Sequence, residues 1–457
     1  MSTVPVILAA GKGVRMRSSV PKVLHTVAGV PLIEYALELG QEVGDELALV
    51  VTGHGTEAVR ELVGDRARVV LQAEQLGTGH ALLQAAVELR GTADRVLVWA
   101  ADMPLLSAGT LEAVIARQRE NDGPLSIVTA VSGQQRGFGL VLRAEDGSVQ
   151  AVVEQADATE EQRSIRELNV GVYCFDAVWL WEELAQLEPS NTGEYYLTDL
   201  VAVAVSQGRS VGAIAVDNAV EIIGVNTRVH LAEVETAFRE RTNHSWMEQG
   251  VTMLDPANTY VATSVRIGSD TILLPNTHLQ GETTVGSGCT IGPNSVVRDS
   301  VIADGCRVEC SVLEETTLEE NVDVGPFGHL RAGTHLARGV HVGNFGEVKN
   351  AYLGPQVKMG HFCYVGDATV GARTNIGAGA VTCNYGMDKK KHRTDIGEDV
   401  FIGSDTMIVA PVRIGARART GAGSVVTKDV PADSTAVGVP ARIITRGSAP
   451  LDPDDNG

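Results

Sequence analysis

In the stretch Leu318-Glu-Glu-Asn-Val-Asp-Val324-Gly-Pro-Phe-Gly-His-Leu330-Arg-Ala-Gly-Thr-His-Leu336-Ala-Arg-Gly-Val-His-Val342-Gly-Asn-Phe-Gly-Glu-Val348, an aliphatic residue stands at every sixth position. The same step carries Ile267, Leu273, Leu279, Val285, Ile291 and Val297, and then Ile396, Ile402, Ile408, Ile414, Thr420 and Val426. Gly often follows the aliphatic residue, as at Gly268, Gly286, Gly325, Gly343, Gly403 and Gly415. A helix repeats every 3.6 residues and a strand every two, so neither accounts for a step of six. A hexapeptide β-helix does. Each short strand sends one side chain inward, and the small residue lets the chain turn the corner. A sandwich of short strands is the alternative, and unbroken spacing over so long a stretch argues against it.

The first half has another rhythm. The chain has 457 residues, enough for two or three domains. Residues 1–226 alternate strand-like runs (Pro5–Leu8, Ala48–Val51, Val96–Trp99) with helical segments, as in an α/β domain with a mostly parallel sheet. Leu231, Val234, Ala237 and Phe238 place one amphipathic linker helix over 227–249. The β-helix then occupies 250–446, and the Pro/Asp/Gly-rich tail 447–457 is expected to be disordered.

The net charge is −20, from 37 basic and 57 acidic residues. That disfavours nucleic acid as a partner and requires any anionic ligand to meet a local basic site. The six cysteines have no paired spacing, which points to free thiols in a reducing compartment. No leader-like segment precedes the first strand, and no apolar run is long enough for a membrane span, so a cytoplasmic protein without membrane insertion is expected.

The loop Leu8-Ala-Ala-Gly-Lys-Gly-Val-Arg-Met16 follows the first strand, at a sheet edge where α/β proteins bind ligands. Its glycines admit phosphates to the backbone, and Lys12, Arg15 and Lys22 bring positive charge. Met16 stands where a dinucleotide fingerprint needs Gly, and the Walker pattern is absent. This loop and Pro21-Lys22-Val-Leu-His25 resemble the signature of sugar-1-phosphate nucleotidyltransferases. With Gln72-Ala-Glu-Gln-Leu-Gly-Thr-Gly-His80, Gly193-Glu-Tyr-Tyr-Leu-Thr-Asp199 and the repeats, nearly the whole chain is similar to one family. That family is the bacterial bifunctional N-acetylglucosamine-1-phosphate uridyltransferases/glucosamine-1-phosphate acetyltransferases. The resemblance implies a Rossmann-like α/β nucleotidyltransferase domain followed by a left-handed hexapeptide β-helix.

It also implies site residues. Leu8, Ala9, Ala10, Gly11, Arg15, Lys22, Gln72, Gly77 and Thr78 match nucleotide positions, and Gly139, Glu154 and Asn169 sugar positions. Asp102 and Asn226 match ligands for Mg²⁺, a hard cation suited to oxygen donors and to phosphate charge. Read without the resemblance, Asp102 is a helix or turn cap before Met103-Pro104. Departures from the family are Ala101 before Asp102, no Arg in Gly137-Phe-Gly-Leu140, and Val170 after Asn169.

In the second half Arg331 and Lys349 are eighteen residues apart, one coil of a three-faced helix, so they should stack. Stacked cations need an anion between them, either a substrate phosphate or Glu347. His361, placed at a turn by its distance from Met359, matches the family's general base. Acyl transfer needs a neutral amine, and histidine can take the proton. Tyr364 and Asn375 match substrate positions, and Ala378, Asn384, Tyr385, Ser404 and Ala422 line the family's acetyl-CoA groove. The rhythm breaks at Cys383–Thr394, a basic loop of which Lys391 is the residue expected to reach an anion. Arg442 is the candidate to replace an Arg missing near Gly438. The expected protein is a homotrimeric enzyme using acetyl-CoA and UTP as co-substrates, with Mg²⁺. It would make UDP-N-acetylglucosamine for the cell envelope. A β-helix serving only as an oligomerising module would need neither His361, Tyr364 nor Asn375.

Overall fold

Short apolar runs at the sheet centre and aliphatic ladders in the repeats give two compact units, Met1–Phe238 and Arg239–Gly457. The computed structural model describes every residue except 1, 54, 134–136, 191–192, 217, 219 and 445–457, so the tail at 447–457 lies outside the described residues.

The first unit holds a nine-stranded sheet. Its strands are β1 Thr3–Ala9, β2 Leu49–Thr52, β3 Arg68–Leu71, β4 Arg95–Ala100, β5 Leu125–Val131, β6 Gly139–Arg143, β7 Val149–Val153, β8 Glu167–Asp176 and β9 Val211–Val216. The order is β9-β5-β8-β4-β1-β2-β3, with the β6–β7 hairpin paired onto β8. Pairing is parallel except along β8 and in that hairpin. Central β1 is covered on both faces, which is why Val4, Val6 and Ile7 form one apolar run. Leu8 of β1 and Ala100 of β4 are register partners, so the loops after both strands open on one crevice. Ser107, not Asp102, caps the helix Ala108–Glu120, its hydroxyl accepting from Thr110 N–H.

The helix expected over 227–249 runs from Arg228 to Glu248, and the division between the units falls inside it. Val234 and Phe238 are buried with Met16, Val27, Leu32, Leu105, Ile223 and Val225 of the first unit. Trp246 and Met247 pack on the core of the second.

The second unit winds into three sheets of twelve, ten and nine strands, beginning at Thr252–Met253, Thr259–Val261 and Arg266–Ile267. Pairing along each is parallel, apart from the last pair of the first sheet. The spaced aliphatics are all inward and buried. Between Val297 and Ile302 the step drops to five, and Asp299 closes that corner at φ 47°. The excursion at Cys383–Thr394 leaves the ladder and folds on itself through a Tyr385–Lys391 bridge.

Candidate active sites

In the first unit a cavity of about 560 Å³ opens at the carboxyl ends of β1 and β4. Leu8, Ala9, Ala10, Gly11, Lys22, Gln72, Gly77, Thr78 and Asp102 line it, so most of the expected nucleotide residues stand together. Gly77 has φ +102°, and a Cβ there would lie 2.5 Å from the Tyr195 carbonyl oxygen. Any side chain would therefore displace the strand-to-helix turn before Thr78–Leu89. Gln72 is buried, its amide nitrogen donating to the Gly77 carbonyl at 3.1 Å.

A second cavity of about 240 Å³ shares Leu8, Thr78, Ala100 and Asp102 with the first. Arg15, Gly139, Glu154, Asn169 and Asn226 line it. Asn169 donates through Nδ2 to the Tyr173 hydroxyl at 2.7 Å, and its buried Oδ1 has no hydrogen-bond partner. An acceptor left bare beside a cavity is one a ligand can satisfy. Glu154 accepts from the Thr198 hydroxyl at 2.9 Å, and burial raises its carboxyl above the ordinary range. At the junction of the cavities the Lys22 ammonium pairs with the Asp102 carboxylate and donates to Asn226 Oδ1 at 3.2 Å. Two hard oxygen donors thus already converge on one cation, a donor set that suits Mg²⁺.

In the second unit Arg331 and Lys349 are register partners on adjacent coils. Arg331 donates to Glu347 at 2.8 Å, so the carboxylate partner is present. Lys349 has a lowered pKa, caused first by Arg331 and then by Lys391. Arg331, Lys349 and Lys391 therefore share one corner with Glu347, with Glu314, whose charge also reaches Arg331, and with Asp367, which lies 3.9 Å from Lys391. Asn384 donates to Asp367 at 2.5 Å and to the Tyr364 hydroxyl at 3.3 Å, tying the loop base to this cluster.

His361 is not at a turn. It ends the strand Lys358–His361, exposed, because it pairs in register with Asn344 one coil earlier. Its Nδ1 lies 3.2 Å from Asn344 Oδ1. Continuing the Met359–Ile376 register puts Ala378 on the next coil above it. Ser404 and Ala422 extend this column: a Cβ on Gly377 would meet Ser404 nitrogen at 2.6 Å, and one on Gly403 would meet Ala422 nitrogen at 2.7 Å. Ala378, Ser404 and Ala422 are thus small residues along one corner. Asn375 begins a strand of the first sheet, whereas Tyr364, Arg331 and Lys349 lie in the second. Tyr385 is exposed on the loop, and Arg442 is exposed in the last strand.

Several lining residues had no role assigned from sequence. Gln75, Glu194 and Tyr196 line the larger cavity and Tyr173 the smaller. The first three lie inside the quoted stretches 72–80 and 193–199, which were the available signal. Asn344 and Asp367 needed the coil register to be seen.

The profile of the MobA-like NTP transferase domain matches residues 5–174, and that of the bacterial transferase hexapeptide (six repeats) matches 264–299 and 393–428. The bifunctional protein GlmU of Heliobacterium modesticaldum is 46% identical over 433 residues, 94% of each chain. This chain belongs to the bifunctional GlmU family. Those of Pelobacter propionicus and an Exiguobacterium species are 45% and 43% identical, over 94% and 96% of this chain and 95% and 97% of their own. As a GlmU-family member it is a bifunctional transferase acting on small molecules, with an α/β nucleotidyltransferase unit and a left-handed β-helix acetyltransferase unit. Among the described residues no helix is long and apolar enough to cross a membrane.

Proposed function

We propose that the β-helix acetylates glucosamine-1-phosphate from acetyl-CoA. The α/β unit then joins the product to UTP, giving UDP-N-acetylglucosamine and pyrophosphate for cell-envelope synthesis in the cytoplasm. The observation that carries this reading is the junction of two cavities at Lys22, Asp102 and Asn226. The larger takes UTP and the smaller the sugar. A sugar-phosphate oxygen attacks the α-phosphorus, and the bond to the departing pyrophosphate breaks. The Leu8–Gly11 loop, Lys22 and Arg15 bind and orient the phosphates; Gln72, Gly77 and Thr78 hold the nucleoside; Gly139, Glu154 and Asn169 hold the sugar. Mg²⁺ held by Asp102 and Asn226 would neutralise phosphate charge.

In the acetyltransferase, Lys349, Arg331 and Lys391 hold the sugar phosphate, with Tyr364 and Asn375 as further substrate contacts. Asn344 accepts from His361 Nδ1–H, which leaves Nε2 free to take a proton from the amine. The amine nitrogen attacks the thioester carbonyl, and the CoA thiolate leaves. Acetyl-CoA lies along the Ala378, Ser404 and Ala422 column, near Asn384 and Tyr385. A homotrimer is part of this reading. Phe327, Phe345 and Phe362, between 56% and 60% exposed, stand on successive coils beside His361, and the first two are stacked 5.1 Å apart. Phe327 and Phe345 adopt φ of 62° and 55°, unfavourable for a bulky residue, and a second copy would cover this ladder.

The test supplies glucosamine-1-phosphate, acetyl-CoA, UTP and Mg²⁺ to the whole chain and looks for UDP-N-acetylglucosamine. Formation of N-acetylglucosamine-1-phosphate without uridyl transfer would remove the first unit's assignment. Formation of UDP-N-acetylglucosamine only from added N-acetylglucosamine-1-phosphate would remove the second's.

A further inference from the structure

Gln72 offers the nucleotide cavity an amide whose orientation is set from behind. Its Nε2 lies 3.1 Å from the Gly77 carbonyl oxygen and 3.0 Å from His80 Nδ1. A carbonyl oxygen only accepts, so the amide nitrogen must face it; the reversed amide would press oxygen against oxygen. The second amide proton then points at His80 Nδ1, which must carry the lone pair, leaving the ring proton on Nε2. Gln84 competes for that lone pair: its amide nitrogen lies 3.3 Å from His80 Nε2, but it already donates to the His80 carbonyl at 3.0 Å, and the shorter contact from Gln72 gives the lone pair to Nδ1. With both amide protons engaged, Gln72 Oε1 has no partner among the described residues. The residue lines the cavity, so what it presents there is an acceptor.

We infer that His80 is a positioning residue for base selection: it locks Gln72 so that only an acceptor faces the base, favouring a pyrimidine with an N3–H donor over one with an N3 lone pair. The inference rests on the proposed nucleotide site. Uracil carries that N–H. Cytosine in the same pose sets its N3 lone pair against Oε1, leaving a buried acceptor unsatisfied. Without His80 the second amide proton loses its partner, and the amide is held at Gly77 alone.

The experiment measures kcat/KM for UTP and CTP with N-acetylglucosamine-1-phosphate, using the whole chain. His80→Leu is expected to lower the UTP-over-CTP preference by about tenfold or more, mainly through the KM for UTP. Acetyl transfer by the same preparation should be unchanged, and the melting curve of the α/β fragment 1–248 carrying the substitution should match the parent fragment's, which certifies the folding of that unit. His80→Asn, which keeps an acceptor near the Nδ1 position, should retain the preference to within about threefold. An unchanged preference in His80→Leu, or equal losses in the Leu and Asn variants, overturns the inference. Gln72→Leu separates the two readings. If it too keeps the preference, the assignment of Gln72 to the base fails and this inference with it. If it loses the preference while His80→Leu keeps it, only the inference fails.

Discussion

His361 illustrates what single residues disclose. Its identity and neighbours suggested a base, but its place in the Asn344 column depended on coil register, which spacing interrupted by shorter coils does not reveal. His361→Ala should lower kcat of acetyl transfer by roughly 10²–10⁴ with little change in KM, since the proton leaves during reaction. A loss under tenfold would mean the substrate amine loses its proton to water instead. Uridyl transfer should be unaffected. Glu154 makes a different prediction. Burial is the first cause of its raised pKa, so the folded state holds the proton more tightly than the unfolded chain does. Stability from this group is therefore full below the ordinary glutamate range and declines as pH rises from there through the raised folded value. Glu154→Gln keeps an acceptor for Thr198 and removes the charge. The melting temperature of the ligand-free protein should rise near pH 7 and hardly move near pH 4, while the KM for N-acetylglucosamine-1-phosphate increases. An equal shift at both pH values would mean packing, not ionisation, is responsible.

At the scale of elements, the six-residue step made the β-helix strands readable because one inward aliphatic per strand leaves a period that no other structure shares. The loop after Cys383 was readable as an excursion but not as a closed hairpin tied to Asp367 through Asn384, since those contacts join residues with no periodic relation. The stacked column is the element-level test. Arg331 already has Glu347, whereas Lys349 faces Arg331 and Lys391. Lys349→Met should raise the KM for glucosamine-1-phosphate about ten- to a hundredfold, the weight of a charge-assisted contact, and leave that for acetyl-CoA nearly unchanged. The ligand-free variant should melt no lower than the parent, because the substitution relieves repulsion at an exposed site. Arg331→Ala should affect the same KM but also free Glu347 to pair with Lys349, so its loss should be the smaller. Equal effects on both substrates would assign the column to the fold alone.

For the whole molecule, sequence rhythm placed the end of the α/β domain at residue 226 and treated the following helix as a linker. A helix whose apolar residues serve one unit and then the next looks like a connector, and nothing in its pattern says which core each turn enters. In the structure Val234 and Phe238 are buried beside Leu32, Leu105 and Val225, so the first turns complete the first unit. A chain ending at 226 exposes that patch. Burying a Val and a Phe side chain is worth roughly 1.5–3 kcal/mol each, against about 5–15 kcal/mol for a whole domain. The fragment 1–248 should therefore be folded and carry uridyl transfer from UTP to N-acetylglucosamine-1-phosphate at a rate close to the parent's. The fragment 1–226 should melt well below it and lose activity on mild warming. Both comparisons can be made by thermal melts and by the transfer assay at matched concentration. If the two fragments melt together, the helix contributes nothing to the first core. If 1–248 is folded but inactive, uridyl transfer depends on the β-helix unit, and the independence of the two activities fails.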